Sequence, residues 1–281
     1  MSENETRVIV NADDLGISLD VNRQIEECVK QGIVSSTTLL VNAPAFEDGV
    51  RIAKQYSQVS VGIHLNLIEF APLTNEDVFR EFGVVDDDGN FIEGAIFVAN
   101  CKEERLKQAI FEEWDTQICK FKEAGIVPTH IDSHEHTHTI IALQDVLCRV
   151  IDKHGIKCVR RKIIPSIRLM LKRSKHPDSV RLDKTKAVTP KRQNVLYRRL
   201  RVFIVKYQSA RWNRQMSKRY MMTDSFFAFR TFYSNLDSIH LGKTVELMCH
   251  PGHTSYQAET DVLIKEPSWL QNINIISYKD L

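Results

Sequence analysis

Two adjacent carboxylates, Asp13 and Asp14, are the first residues in the chain whose types suggest chemistry. They follow the short, β-rich segment 7–10, so they are expected at the end of a buried strand. A simple turn would also explain them, because aspartate favours turns and helix starts. The alternative is a division of labour, in which one carboxylate binds a metal ion and its neighbour acts as a general base on water.

Histidines near other predicted strand ends could supply metal ligands or proton-transfer groups. His64 ends the strand predicted at residues 59–63, and Asn66 shares its face because side chains along a strand alternate with a period of two. His250 follows the strand predicted at residues 244–249 and precedes a Pro-Gly turn. Each could equally be a polar residue that merely ends a strand, so its significance depends on its neighbours.

The segment from residue 130 to residue 138 holds four histidines and two acids, in a chain with only 10 histidines. Burial of all these rings in the core is disfavoured, because each would need a hydrogen-bond partner. A solvated surface is the other alternative. If the strand continues through the segment, one face carries His130, Asp132, His134, His136 and His138. Only some of these can be ligands; the others would support ligands or contact substrate.

The elements that must position these groups alternate between strands and helices. Strands are predicted at residues 7–10, 37–41, 59–63, 129–132, 158–159, 244–249 and 273–277, and helices at 18–32, 46–56, 103–124 and 140–154. This alternation predicts a mainly parallel sheet, in which active sites lie at the carboxyl ends of strands. Polar clusters follow four of the strands, so we expect them to converge. Two histidines and one carboxylate around a metal would leave positions open for water and substrate.

The composition is that of an ordinary globular protein, with 43% hydrophobic and 26% charged residues among 281. The polar start predicts no signal peptide, and no apolar segment is long enough to span a membrane. The six cysteines are scattered, without a Cys-x-x-Cys pair, so reduced thiols are expected rather than disulfides. These features together predict a cytoplasmic protein.

Residues 157–220 are strongly basic, with 21 lysines and arginines against two acids, although the net charge of the whole chain is only +2. Within this segment, Leu196, Leu200, Phe203 and Tyr207 recur at helical spacing among basic residues, which predicts a basic amphipathic helix. Such a helix could pack on the barrel and leave its basic face in solvent. Alternatively, it could attach the protein peripherally to the inner face of an anionic membrane. Nucleic-acid binding is not expected, because interleaved aromatics and a recognisable module are absent from the segment.

Four motifs occur in an order that resembles the YdjC-like carbohydrate deacetylases, a family that includes chitooligosaccharide deacetylases. They are Asn-Ala-Asp-Asp at 11–14, Gly-Ile-His-Leu at 62–65, the histidine segment 129–138, and Met-Cys-His-Pro at 248–251. The resemblance covers residues 7–68 and 126–156, and residues 223–255 more loosely. The basic segment 157–220 departs from the family pattern.

The resemblance implies a distorted (β/α) barrel-like fold with mainly parallel strands, as one domain over residues 1–281 with a basic, helix-rich insertion at 157–220. It implies that one divalent ion, magnesium or zinc with cobalt or manganese as further candidates, is bound by Asp14, His64 and His134. Asp13 would then be the general base and His250 the general acid. The candidate substrate contacts are Asn66, Asp132, His136 and His138.

The activity implied is hydrolysis of the N-acetyl group of an amino sugar, free or linked to a lipid or nucleotide, with release of acetate. Two other functions remain open. A metal phosphoesterase would favour a second metal ion bound by Asp132, His136 or His138. A membrane- or polyanion-binding protein with a decayed active site would use the basic segment alone. A homodimer is a further expectation.

Overall fold

The computed structural model describes residues 6–164, 195–234, 242–265, 267–270 and 273–281. Part of the predicted insertion at 157–220, residues 165–194, therefore lies outside the described residues, as do the side chains of Leu196 and Leu200. The division of the chain into one domain with an insertion stays a prediction.

Parallel strands make up the central sheet of the described chain. They are β1 (Arg7–Leu15), β2 (Ser36–Leu39), β3 (Ser60–Leu65), β4 (His130–Ser133), β5 (Cys158–Val159), β6 (Ser225–Ala228), β7 (Thr244–Cys249) and β8 (Asn274–Ile275). The sheet runs in the order β5-β4-β3-β2-β1-β7-β6, and β8 pairs with the start of β1. A parallel bridge between Cys158 and Met221 brings the two ends of the sheet together. The sheet thus curls into a half-barrel, and the predicted α/β barrel-like fold is confirmed.

Helices connect the strands and cover the outside of the sheet. They are α1 (Leu19–Lys30), α2 (Phe46–Gln55), α3 (Asp77–Glu81), α4 (Ala95–Val98), α5 (Glu104–Glu123), α6 (Gln144–His154), α7 (Val195–Met216), α8 (Phe229–Tyr233) and α9 (Gln257–Lys265). Short 3-10 helices span His134–Thr139, Ile141–Leu143, Thr254–Tyr256, Pro267–Leu270 and Tyr278–Asp280. Ser18 caps the start of α1, because its hydroxyl accepts a hydrogen bond from the Val21 backbone N–H.

The core explains why these segments fold as they do. Val8, Ile9 and Val10 of β1 are almost fully buried, which is typical of a parallel strand covered on both faces. On the helix side, Trp114, Ile118 and Phe121 of α5 bury one stripe at helical spacing. No helix among the described residues is both long and apolar enough to cross a membrane.

The end of β1 and the presence of β6 differ from the predictions. Strand β1 extends beyond residue 10 to Leu15, so Asp13 and Asp14 lie within it, at an irregularity in its pairing between Ala12 and Leu15. Strand β6, with the four residues Ser225–Ala228, was not among the predicted strands.

Candidate active site

Polar residues at or just after the ends of four strands meet at the carboxyl edge of the sheet. Asp13 and Asp14 come from β1, His64 from β3, His134 from the turn after β4, and His250 from the turn after β7. All have buried or half-buried side chains. The convergence expected from the alternation of strands and helices is therefore observed.

Asp14, His64 and His134 form a compact group that could hold a metal ion. Asp14 Oδ1 lies 2.8 Å from His134 Nδ1 and 3.3 Å from His64 Nε2. One donor atom from each of the three residues lies within 4.8 Å of the others. A carboxylate and two imidazoles at this separation are a donor set suited to a divalent transition metal.

The backbone of Asp14 explains how two adjacent carboxylates point to different partners. Asp14 has φ of 69°, in the left-handed region that residues other than glycine seldom adopt. It lies at the irregularity in β1, where the normal alternation of side chains is broken. As a result Asp14 faces the two histidines while Asp13 faces Arg160. Backbone strain of this kind is concentrated at functional sites.

Carboxylates also support both histidines from behind. His64 Nδ1 donates to Asp132 Oδ1 at 2.6 Å, which leaves Nε2 directed towards Asp14. His134 presents Nδ1 to Asp14, and its Nε2 lies 4.0 Å from Glu69 Oε1. A carboxylate on the outer nitrogen orients an imidazole and increases its basicity, as in many metal centres. Glu69 was not among the residues predicted from sequence.

The charge at this edge of the sheet also fits a bound cation. Burial alone would lower the histidine pKa values, but Asp132 and Asp14 raise the pKa of His64 to about 9. Likewise Asp14 and Glu69 outweigh burial and raise the pKa of His134 to about 10. The surrounding carboxylates thus favour positive charge at both imidazoles, and a divalent cation could supply that charge in place of two protons.

Arg160 is the central cation of a buried network beneath the site. Its side chain is fully buried just after β5, and its two terminal nitrogens each donate to one oxygen of Asp13 at 2.6 Å. The Arg160 Nε donates a hydrogen bond to Glu246 at 2.7 Å. The Arg160 Nη1 also lies 2.6 Å from Asp132 Oδ2 and forms an ion pair with it, but the angles do not meet those of a hydrogen bond. The Tyr278 hydroxyl completes the network by donating to Glu246 at 2.5 Å.

This network determines the state of Asp13. Burial alone would raise its pKa, but the charge and hydrogen bonds of Arg160 hold the pKa of the Asp13 carboxyl well below its ordinary value. Asn11 donates a further hydrogen bond to Asp13 Oδ1 at 2.8 Å. Asp13 is therefore an ionised carboxylate at neutral pH, held in position by Arg160 and Asn11. The same contacts lower its basicity.

Sequence reasoning missed Arg160, although a signal was present. Arg160 follows directly after β5, so it occupies a strand end like the other site residues. It also belongs to the segment with 21 basic residues, where nothing in the sequence distinguishes one arginine from another.

His250 lies at the edge of the site with an aromatic neighbour. Its ring stacks on Tyr256 with centroids 4.4 Å apart, and its backbone N–H donates to Glu259 at 2.7 Å. Burial alone would lower its pKa, but Glu259 and the nearby Asp13 and Asp14 raise the pKa of His250 above its ordinary value. A half-buried histidine that readily holds a proton is suited to act as a general acid.

Strand β4 does not continue through the histidine segment. The strand ends at Ser133, and Glu135 and His136 adopt left-handed φ values of 51° and 59°. The chain therefore turns, and His136 and His138 do not extend the face of Asp132 and His134. Because side-chain alternation holds only within a strand, the period of two could not be carried past its end.

The predicted substrate contacts have different environments. Asp132 and His138 are fully buried, and His138 shares a hydrogen bond of 2.6 Å with Ser133 Oγ. Asn66 is also buried, and its amide organises the loop that follows by accepting from the Ile68 backbone and donating to the Glu69 carbonyl. His136 is half-buried, with Nδ1 lacking a partner. Of the four, His136 has the environment best suited to contact a ligand.

His130 is used in the core rather than in the site. Its ring stacks on Tyr278 with centroids 3.7 Å apart. It also lies against Gly62, where an added Cβ would be 2.5 Å from the His130 ring. Glycine in the Gly-Ile-His-Leu motif is therefore required by this close packing.

The fold and the site together define an α/β barrel-like protein with a candidate centre for one divalent metal ion. A family model described as YdjC-like protein matches residues 7–274. The chain therefore belongs to the YdjC-like family, as the four sequence motifs indicated.

Several known proteins are similar to this chain. A carbohydrate deacetylase from Clostridium beijerinckii is 40% identical over 150 residues, which cover 53% of this chain and 58% of that protein. One from Halalkalibacterium halodurans is 33% identical over 150 residues, covering 53% of this chain and 62% of that protein. The matches thus span about three fifths of these relatives' lengths.

A solved structure shows the same fold over nearly the whole chain. It is a crystal structure of a protein from Enterococcus faecalis, described as a cellobiose-phosphate cleavage protein. The TM-score is 0.69, with 99% of each chain covered and 22% sequence identity. At this identity the similarity establishes the fold and nothing more specific.

Proposed function

We propose that this protein is a metal-dependent hydrolase that removes the N-acetyl group from an amino sugar and releases acetate. The observation that carries this proposal is the Asp14, His64 and His134 group beside the separately held carboxylate of Asp13. Curated relatives named carbohydrate deacetylases support the choice of substrate class.

In this proposal Asp14, His64 and His134 hold one divalent ion. Two imidazole donors favour zinc or cobalt over magnesium, which prefers oxygen ligands; manganese is a further candidate. When bound, such an ion would polarise the acetyl carbonyl and make a neighbouring water more acidic. Two histidines and one carboxylate leave room for both water and substrate.

The side chains of the protein then move two protons. Asp13 accepts a proton from the attacking water as the new C–O bond forms at the acetyl carbon. His250 donates a proton to the sugar nitrogen as the C–N bond breaks, so acetate and a free amine result. Arg160 and Asn11 hold Asp13 in position, and Tyr256 supports the ring of His250.

Acetate release from a panel of substrates tests the proposal. The panel contains N,N′-diacetylchitobiose, nucleotide-linked N-acetyl sugars and polyprenyl-phosphate-linked N-acetyl sugars. We expect at least one to be deacetylated by wild-type protein, and we expect Asp14→Ala to lose both bound metal and acetate release. Asp261→Ala on the exposed side of α9 is the control. Acetate release that survives Asp14→Ala and His134→Ala would rule out the metal mechanism.

Asp132→Asn should weaken metal binding without abolishing it. An amide oxygen carries no negative charge, so it accepts a weaker hydrogen bond from His64 Nδ1 than the carboxylate does. The His64 ring is then held less firmly and its Nε2 becomes less basic. Outer carboxylates of this kind contribute about 10- to 100-fold to metal affinity. Competition with a chelating dye measures the affinity, with circular dichroism to establish folding. An affinity equal to that of wild type would show that Asp132 does not support the metal site.

The arrangement of Arg160 disfavours the phosphoesterase alternative. Asp13, His64 and Asp132 lie close enough together to suggest a second ion. However, the Arg160 guanidinium already contacts both carboxylates, and its fixed charge opposes another cation there. The proposed metal ligands, general base and general acid are all present. This disfavours the other alternative, a membrane- or polyanion-binding protein with a decayed active site. Cytoplasmic location and a homodimer remain predictions.

A further inference from the structure

The middle of α7 exposes apolar side chains. The second half is anchored, because Ser209, Trp212 and Met216 are buried at helical spacing. In the turns before Ser209, Phe203 is 62% exposed, Tyr207 is 64% exposed and Ile204 is 46% exposed. A cluster of large apolar side chains in water indicates an interaction surface rather than a free face.

Basic residues continue the same face of α7. Tyr207 is followed by Arg211 and Arg214 at spacings of four and three, which places the three side chains on one side of the helix. Both arginines are exposed, and neither forms a salt bridge with any residue that the structure describes. Residues 195–216 contain no aspartate or glutamate. This face of α7 is therefore apolar at one end and carries two positive charges at the other.

A groove lies between this face and the segment that follows the histidine turn. It has a volume of about 430 Å³ and is lined by residues that include Ile141, Ile204, Tyr207 and Arg211. Ile141 follows the histidine turn at the carboxyl edge of β4, and Trp212 of the same helix lies against the His138 ring with centroids 6.1 Å apart. A partner bound to this surface would contact the segment that follows the histidine turn.

We propose that this α7 surface docks the protein onto a lipid bilayer that carries anionic headgroups. Phe203, Ile204 and Tyr207 enter the interfacial region, while Arg211 and Arg214 contact lipid phosphates. The charge identifies the partner, because a second copy would bring two positive faces together. Residues 165–194 hold nine basic and two acidic residues, so they are also electrostatically mismatched to this surface. The docking does not depend on the proposed hydrolysis.

Sedimentation of the full chain with lipid vesicles tests this inference. We expect binding to vesicles of phosphatidylcholine with phosphatidylglycerol, weakened by added salt, and little binding to phosphatidylcholine alone. Arg211→Gln with Arg214→Gln should weaken binding about 30-fold, since each basic residue near an anionic surface contributes about fivefold. Phe203→Ser with Tyr207→Ser should also weaken it. Lys30→Gln with Lys54→Gln removes the same charge from α1 and α2 and should bind as wild type does.

Three results would overturn the proposal. One is failure of the wild type to bind anionic vesicles; another is an equal loss of binding in the Lys30 and Lys54 control. The third is a protein that does not bind vesicles but forms a concentration-dependent dimer, if Phe203→Ser with Tyr207→Ser abolishes that dimer. A second copy of the chain would then be the partner of this surface. Acetate release from a soluble substrate is expected to be unchanged in the α7 variants. Its absence in the wild type would count only against the proposed hydrolysis.

Discussion

Replacing Arg160 with methionine is expected to destabilise the protein strongly and to abolish acetate release. The change leaves Asp13, Asp132 and Glu246 buried without their shared cation. Removing one partner from a buried ion pair costs about 3–5 kcal/mol of unfolding free energy. For a chain of this size that lowers Tm by about 10 °C. Differential scanning calorimetry measures the shift.

Two further variants make the Arg160 experiment specific. Arg219→Met removes an exposed arginine that pairs with Asp152, and it should change the unfolding free energy by less than about 1 kcal/mol. Arg160→Lys keeps the charge but cannot bind both oxygens of Asp13 while contacting Glu246. It should be more stable than Arg160→Met and still have a reduced kcat. A Tm for Arg160→Met equal to that of wild type would contradict the central role of this network.

Asp13→Asn is expected to reduce kcat by a factor of about 10³ while the protein remains folded and keeps its metal. The amide can still contact Arg160 but cannot accept a proton from water. Arg160 also retains Asp132 and Glu246 as counter-charges, so the loss of stability should be smaller than in Arg160→Met. Steady-state acetate release gives kcat and KM, and elemental analysis gives the metal content.

The matched variant for this experiment is Asp14→Asn, one residue further along. Because Asp14 faces His64 and His134, its change should reduce metal content as well as kcat. Asp13→Asn should affect kcat much more than KM, as expected for a group that acts in the transition state. Near-normal kcat in Asp13→Asn, or loss of its metal, would show that the two carboxylates do not divide the roles of base and ligand in this way.

Much of the candidate site could be predicted because a parallel α/β sheet places the carboxyl ends of its strands at one edge. That rule alone brings Asp13, Asp14, His64, His134 and His250 together once the alternation of strands and helices is recognised. Strand-ending residues are close in such a fold even when they are far apart in the chain. The four motifs then indicated the family, which the match over residues 7–274 confirms.

Other features depend on contacts that have no local signature. Arg160 lies 147 residues from Asp13 and is one of many arginines in its segment, so only the folded chain shows that it binds the carboxylate. The left-handed turn at Glu135 and His136 ends the alternation of side chains between the two faces of a strand. The placement of His136 and His138 on the same face as Asp132 depended on that alternation. On α7, helical spacing predicted the helix, but only packing shows that Tyr207 is exposed while Trp212 is buried.

The sequence by itself therefore determined which residues gather at the edge of the sheet, beginning with the Asp13 and Asp14 pair. Periodicity and strand order are local and topological properties, and they are recorded in the order of residue types. Only the tertiary structure decided the partner of each group. The irregularity in β1 directs Asp14 to the two histidines and Asp13 to Arg160, because the direction of a side chain depends on its backbone angles and on the charges packed around it.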